Sequence, residues 1–249
     1  MSTDRTRQRI QQLLAIAGDD AASPAERELA MQRATMLMAR HSITTLTDDP
    51  QARARDLTTR TITVPGGTST ASLAVAYGIC EIARAADAGA YYTDRRRQRR
   101  TTDHGPGVDI HLVATTTDLD WLAPLALAVI PHAALGWATW KRDNPHRWRP
   151  MKPATRRRVR DGYQRAWAAG VADRVRTTRR TTLDQLEAAG DTSTALTVRT
   201  LRQRVTDHID ALGLATGRHL DTDLRAAAQG RADGWASGLG TTHTHIERN

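Results

Sequence analysis

Two sets of residues in this chain have types and spacings that chemistry can use. The first is Asp109, His111, Asp118 and Asp120. On a strand, positions 109 and 111 share one face, and two carboxylates just downstream could converge with them on a divalent metal, as in a metal-dependent nuclease. Each also has an ordinary role available. Alternating Asp and His is usual on a solvent-facing strand, and Asp118 and Asp120 stand where a helix needs caps. His132 lies in an apolar helical stretch and reads as a core residue, while His243 and His245 could hold metal only adventitiously. The chain has no HExxH, no GxSxG and no Walker or Rossmann glycine pattern. No catalytic activity is identified, and no cofactor is expected beyond a divalent metal under the nuclease-like alternative.

The second set is cationic. Between Lys141 and Arg180 stand fourteen Lys or Arg against three Asp (Asp143, Asp161, Asp173), a local balance of +11 in a chain whose net charge is +9. The rest of the protein is therefore close to neutral. Phosphates are the expected partner of Lys141, Arg142, Arg147, Arg149, Lys152, Arg156, Arg157, Arg158, Arg160 and Arg165, and the run RRRQRR adds Arg95, Arg96, Arg97, Arg99 and Arg100. Guanidinium groups pair with phosphate oxygens, and indoles set among them can stack on bases. Trp148, flanked by arginines and prolines, is the indole expected to stack; Trp137 and Trp140 follow an apolar run and are expected in the core. The bland alternative is a solvated surface in an Arg-rich protein, since 34 of the 36 cations are Arg.

The elements that must position these groups read as α+β. A 249-residue chain can bury a sizeable core, and 39% hydrophobic with 25% charged residues is a globular composition. Phe is absent, so Ala, Leu, Val and Ile must fill the interior. A single cysteine, Cys80, excludes an internal disulfide and suits a reducing cytoplasm. The N-terminus lacks an apolar signal core, and no apolar run is read as long enough to span a bilayer, which takes about 18 to 20 residues. The expected location is cytoplasmic, with no membrane partner.

Ile10, Leu13, Leu14 and Ala17 fall at helical spacing before Gly18, and Ser23, Pro24 and Glu26 form a capping box that opens a second helix through Leu29, Ala30, Ala34 and Leu37. This hairpin, residues 1–46, resembles the uncharacterised family called domain of unknown function twenty-seven eighty-six, at Ile10, Leu13, Leu14, Ala15, Ala17, Glu26, Ala30, Ala34, Leu37, Met38, Ala39, His41 and Ile43. The resemblance implies an actinobacterial, phage or plasmid setting and a further uncharacterised domain after the hairpin. It brings no activity or cofactor.

After a polar linker, residues 57–249 read as the α+β domain. Ile62 and Val64 alternate in a strand, Leu73, Ala76, Cys80 and Ala83 mark a helix, and strands follow at Tyr91–Tyr92 and at Val108, Ile110 and Leu112. A small three-stranded mixed sheet with two packed helices is expected. A long apolar helix reaches Leu135 with a kink at Pro131, and Pro145, Pro150 and Pro153 make the basic segment, about 141–158, an arm and not a helix. A C-terminal helical part completes the chain. Two of its helices repeat A-x-G-x-A-D (Ala168, Gly170, Ala172, Asp173 and Ala228, Gly230, Ala232, Asp233), the second copy continuing to Gly234 and Gly238. Regular glycine in a helix predicts close approach of another backbone.

The leading expectation is a non-enzymatic binder of DNA or RNA, mainly through phosphates. The alternatives are a metal-dependent nuclease-like enzyme and an interaction module that docks its basic block on an acidic protein and blocks a host system.

Overall fold

The structure, a computed structural model, describes residues 57–66, 69–94, 107–188, 192–217 and 219–237, with scattered positions between 5 and 37. The capping box at Ser23 and Pro24, the Arg95 to Arg100 run, Gly238, His243 and His245 lie outside the described residues. The elements are β1 (Leu57–Val64), α1 (Thr70–Ala85), β2 (Gly89–Asp94), β3 (Val108–Thr115), α2 (Thr116–Asp143), α3 (Pro145–Trp148), α4 (Pro153–Ala188), α5 (Thr192–Ala211) and α6 (Leu224–Ala236).

The α+β expectation holds, with one detail changed: the sheet is antiparallel throughout. Its order is β1-β3-β2. Helix α1 carries the chain from β1 to β2 across a gap one strand wide, and β3 returns into that gap antiparallel to both neighbours. The result is a split β-α-β unit, in which the two strands of like direction never pair. One face of the sheet buries Ile62, Val64, Val108, Ile110, Leu112 and Ala114 against α1 and α2. Leu13 and Ala30, two described positions of the N-terminal segment, are buried in the same apolar cluster.

Helix α4 is the spine of the helical part. Ala168 fills the space that a side chain at Gly78 of α1 would need. On its other side a side-chain carbon at Gly230 would collide with the carbonyl oxygen of Tyr163, one at Gly234 with that of Trp167, and one at Gly170 with that of Arg231. The two glycine-bearing repeats therefore pack on one another, backbone to backbone, and the contacts ascend together along both helices, which run parallel. Asp173 of the first repeat accepts from Arg231 within the second (2.6 Å), and Asp233 of the second accepts from the Tyr163 hydroxyl (2.6 Å).

Helix α6 begins at Asp223, whose Oδ1 accepts from the Ala226 backbone N–H at 2.8 Å. Asp223→Ala leaves that donor without its acceptor and should cost about 1 kcal/mol, read as a lower denaturation midpoint with an unchanged slope. An unchanged midpoint would mean that the cap does not hold α6 in place.

Three expectations about the middle of the chain are corrected. Helix α2 is capped by Thr115, ahead of the expected caps at Asp118 and Asp120: Thr115 Oγ1 accepts from the Asp118 N–H and donates to Asp118 Oδ2 at 2.8 Å. It then runs through Pro131 and continues to Asp143. The basic segment is mostly helical, because Pro145 and Pro153 stand at the first positions of α3 and α4, where a missing N–H costs nothing, and so start helices instead of breaking them. Finally, α2 is by length and composition able to cross a bilayer, since no charge interrupts residues 121–140. Leu119, Leu122, Leu125, Ala126, Val129 and Ala133 on one side of α2 are buried in the core, whereas Leu127 and Leu135 are 49% and 62% exposed.

Candidate nucleic-acid interface

The C-terminal end of α2, the short α3 and the start of α4 converge on an aromatic cluster. Trp137 and Trp140 are buried and stacked with ring centroids 5.0 Å apart, Trp148 meets Trp137 edge-on at 5.1 Å, and Tyr163 closes the group at 5.7 Å from Trp137. Asn144 fixes the turn between α2 and α3 by donating from Nδ2 to the Trp140 carbonyl at 3.0 Å. Burial, and then the hydrogen bond to the Asp233 carboxylate, pushes the Tyr163 hydroxyl far above its ordinary pKa, so it stays a neutral donor.

Cations lie on the outer rings of this cluster. The Arg156 guanidinium sits 5.1 Å from the Trp148 centroid, Lys141 Nζ 6.0 Å from the same ring, and the Arg147 guanidinium 5.6 Å from Trp140. Each such contact contributes about 0.5–1 kcal/mol at an exposed position and holds the charge in place. Arg156 also donates from Nη2 to the Arg149 carbonyl at 2.7 Å. Trp148 is thus half-buried with cations over its ring.

The structure divides the basic block into two groups. Arg165 pairs with Glu81 at 3.1 Å, Arg160 with Asp161 at 2.9 Å, Arg158 with Asp221 at 3.0 Å and Arg142 with its neighbour Asp143 at 3.1 Å. Farther along α4, the buried Arg179 pairs with Asp87 at 3.1 Å. Arg149, Lys152 and Arg157 are exposed, and their side chains make no ion pair or hydrogen bond among the described residues. Sequence reading could not place Arg158, Arg165 and Arg179 in the first group, because Asp221, Glu81 and Asp87 lie more than 60 residues from the arginines they neutralise.

Helix polarity sharpens the second group. The positive end of a helix dipole favours acidic residues, yet the first turn of the 36-residue α4 has none, and Arg156, Arg157 and Arg158 follow Lys152 there. Like charges are crowded at the end that least tolerates them. Lys141 and Arg142, at the C-terminal end of α2, agree with their own dipole.

The four residues of the metal alternative do not come together. Asp109 and His111 share the outer face of the sheet, as their alternation requires, but β3 extends roughly 20 Å from Asp109 to Thr115 before α2 begins. Beyond it, Asp118 accepts from the Thr115 hydroxyl and the Trp121 indole, and Asp120 pairs with Arg60 at 3.0 Å. Among the described residues no group of three or more His, Cys, Asp or Glu could hold a metal ion. Burial pushes the Cys80 thiol up to about 11, so at neutral pH it is not the thiolate that a nucleophile needs.

His111 has a structural role instead. Its Nδ1 and Nε2 each lie 2.9 Å from a hydroxyl, of Thr61 and Thr93, and its ring stacks on Tyr91 at 4.6 Å. A neutral ring donates to one hydroxyl and accepts from the other. Partial burial lowers the His111 pKa, against an opposing pull from Asp109. The unfolded chain therefore binds more protons than the folded one between the lowered value and about 6.5, so His111 makes folding less favourable as pH falls through that window. His111→Gln should flatten the loss of stability between pH 7 and pH 5 in denaturant titrations. An identical pH profile in the variant would contradict this assignment.

Fold and surface together define an α+β protein with a cationic, aromatic-backed end. Residues 5–45 match the family described as Protein of unknown function (DUF2786), in the segment where the N-terminal resemblance was read. No curated protein and no solved structure matches the chain.

Proposed function

We propose that this protein binds nucleic acid through its phosphates, without chemical transformation, at the end built by the α2 terminus, α3 and the start of α4. The observation that carries this reading is the set Arg149, Lys152 and Arg157: exposed cations with no acidic partner among the described residues, beside a helix start whose dipole they oppose. Local rules are broken in this way where a ligand restores the balance, and an anion does so twice, by meeting the side chains and the helix end. Arg147 and Arg156, seated on indoles, and Arg142 would complete the surface. Arg160 and Arg165 serve the fold. The Arg95 to Arg100 run would extend the contact. An accessory role on phage, plasmid or chromosomal nucleic acid suits such a binder.

Binding titrations across a salt series test this reading. Each neutralised phosphate contributes a slope of about −0.9 in log affinity against log salt, so about six contacts on a duplex give a slope near −5. Absence of binding to any nucleic acid at low salt would remove the proposal, and tight binding to an acidic protein alone would replace it.

A further inference from the structure

Resting on the phosphate-binding reading above, we infer that the cationic end takes a duplex backbone and not a single strand with unstacked bases. Surfaces that hold single strands offer aromatic rings with open faces on which successive bases lie. Here the rings are used internally. Trp137, Trp140 and Tyr163 are buried and packed together. Trp148, the most outward member, gives one edge contact to Trp137 and has Arg156 and Lys141 over its ring. On the face that Arg156 covers, a base would have to displace a guanidinium that is itself tied to the Arg149 carbonyl at 2.7 Å. The remaining exposed indole, Trp235, sits beside Gly170, about 25 Å along α4 from Pro153, too far to join the same surface.

What the end does present is charge held on rigid supports. Lys141 and Arg142 are carried by α2, Arg147 by α3, and Arg156 and Arg157 by α4, with Arg149 and Lys152 in the short connection between α3 and α4. Cations fixed on helices match phosphates whose spacing is itself fixed, as on a duplex. On a flexible strand the phosphates must first be ordered, and the bases gain no stacking in return.

The experiment uses the full chain and labelled 20-nucleotide probes at one low salt concentration: duplex DNA, duplex RNA, the single DNA strand, and a strand of the same length made largely of abasic sites. Both duplexes should bind at least tenfold more tightly than the single strand, and the abasic strand should match the ordinary strand within about twofold, because phosphates alone are read. A duplex preference confined to DNA or to RNA would name the duplex that is bound and leave the inference standing. Single-strand affinity equal to or above that of both duplexes, or a tenfold loss on removing the bases, would overturn it while leaving phosphate binding intact. Failure of every probe to bind would overturn the underlying reading as well.

Discussion

Gly234→Ala is expected to destabilise the protein by roughly 2 kcal/mol or more, although the same change at an open helical position gains up to about 1 kcal/mol. The added carbon falls on the carbonyl oxygen of Trp167, a backbone atom of the central helix that cannot rotate away, so α6 must lift from α4 as a unit. Gly230→Ala should behave alike, since its new carbon meets the Tyr163 carbonyl. Lifting α6 would also open the hydrogen bond from Tyr163 to Asp233 and the pair between Arg231 and Asp173. Ala236→Leu, at an exposed position of the same helix, should stay within about 0.5 kcal/mol of the parent. Equal tolerance at 234 and 236 in thermal melts would contradict the backbone-to-backbone packing.

That packing was legible in the sequence because glycine at four-residue spacing serves few other purposes inside a helix. The strands were legible too, from the alternation at Ile62 and Val64 and at Val108, Ile110 and Leu112. Strand order was not, since nothing local tells whether β3 adds outside β2 or enters the gap beside β1. The basic segment was misread for a definite reason. Proline both ends and begins helices, and Pro145 and Pro153 begin them; the distinction depends on what precedes each, here the Asn144 turn and the Trp148–Met151 turn. The candidate site was legible as a region but not as a set of free charges. Arg165 looks like Arg149 and Arg157 in sequence, and only the fold brings Glu81 to it; Arg160 turns onto its own neighbour Asp161. Trp148 illustrates the same limit: an indole among arginines is the composition of a stacking platform and also of a closed cation–aromatic cluster.

The second large effect is functional. Replacing Arg149, Lys152 and Arg157 together with Gln should weaken duplex binding roughly 100-fold or more near 0.1 M salt, because about half of the phosphate contacts are lost. The fold should not suffer, as these side chains pair with nothing among the described residues. Removing positive charge from the positive end of α4 should leave the melting temperature unchanged or slightly raised, by up to about 1 kcal/mol in stability at low salt. A matched triple change of Arg158, Arg160 and Arg165 to Gln breaks the pairs with Asp221, Asp161 and Glu81, and should instead lower stability.

The most direct test of the central claim is the salt dependence of duplex binding measured side by side for the parent and for the Arg149, Lys152, Arg157 triple Gln variant. The expected result is a slope near −5 for the parent and about −2 to −3 for the variant, with the variant still folded. Two parallel lines of equal affinity, or no binding by the parent at low salt, would contradict the assignment of this end of the molecule to nucleic-acid phosphates.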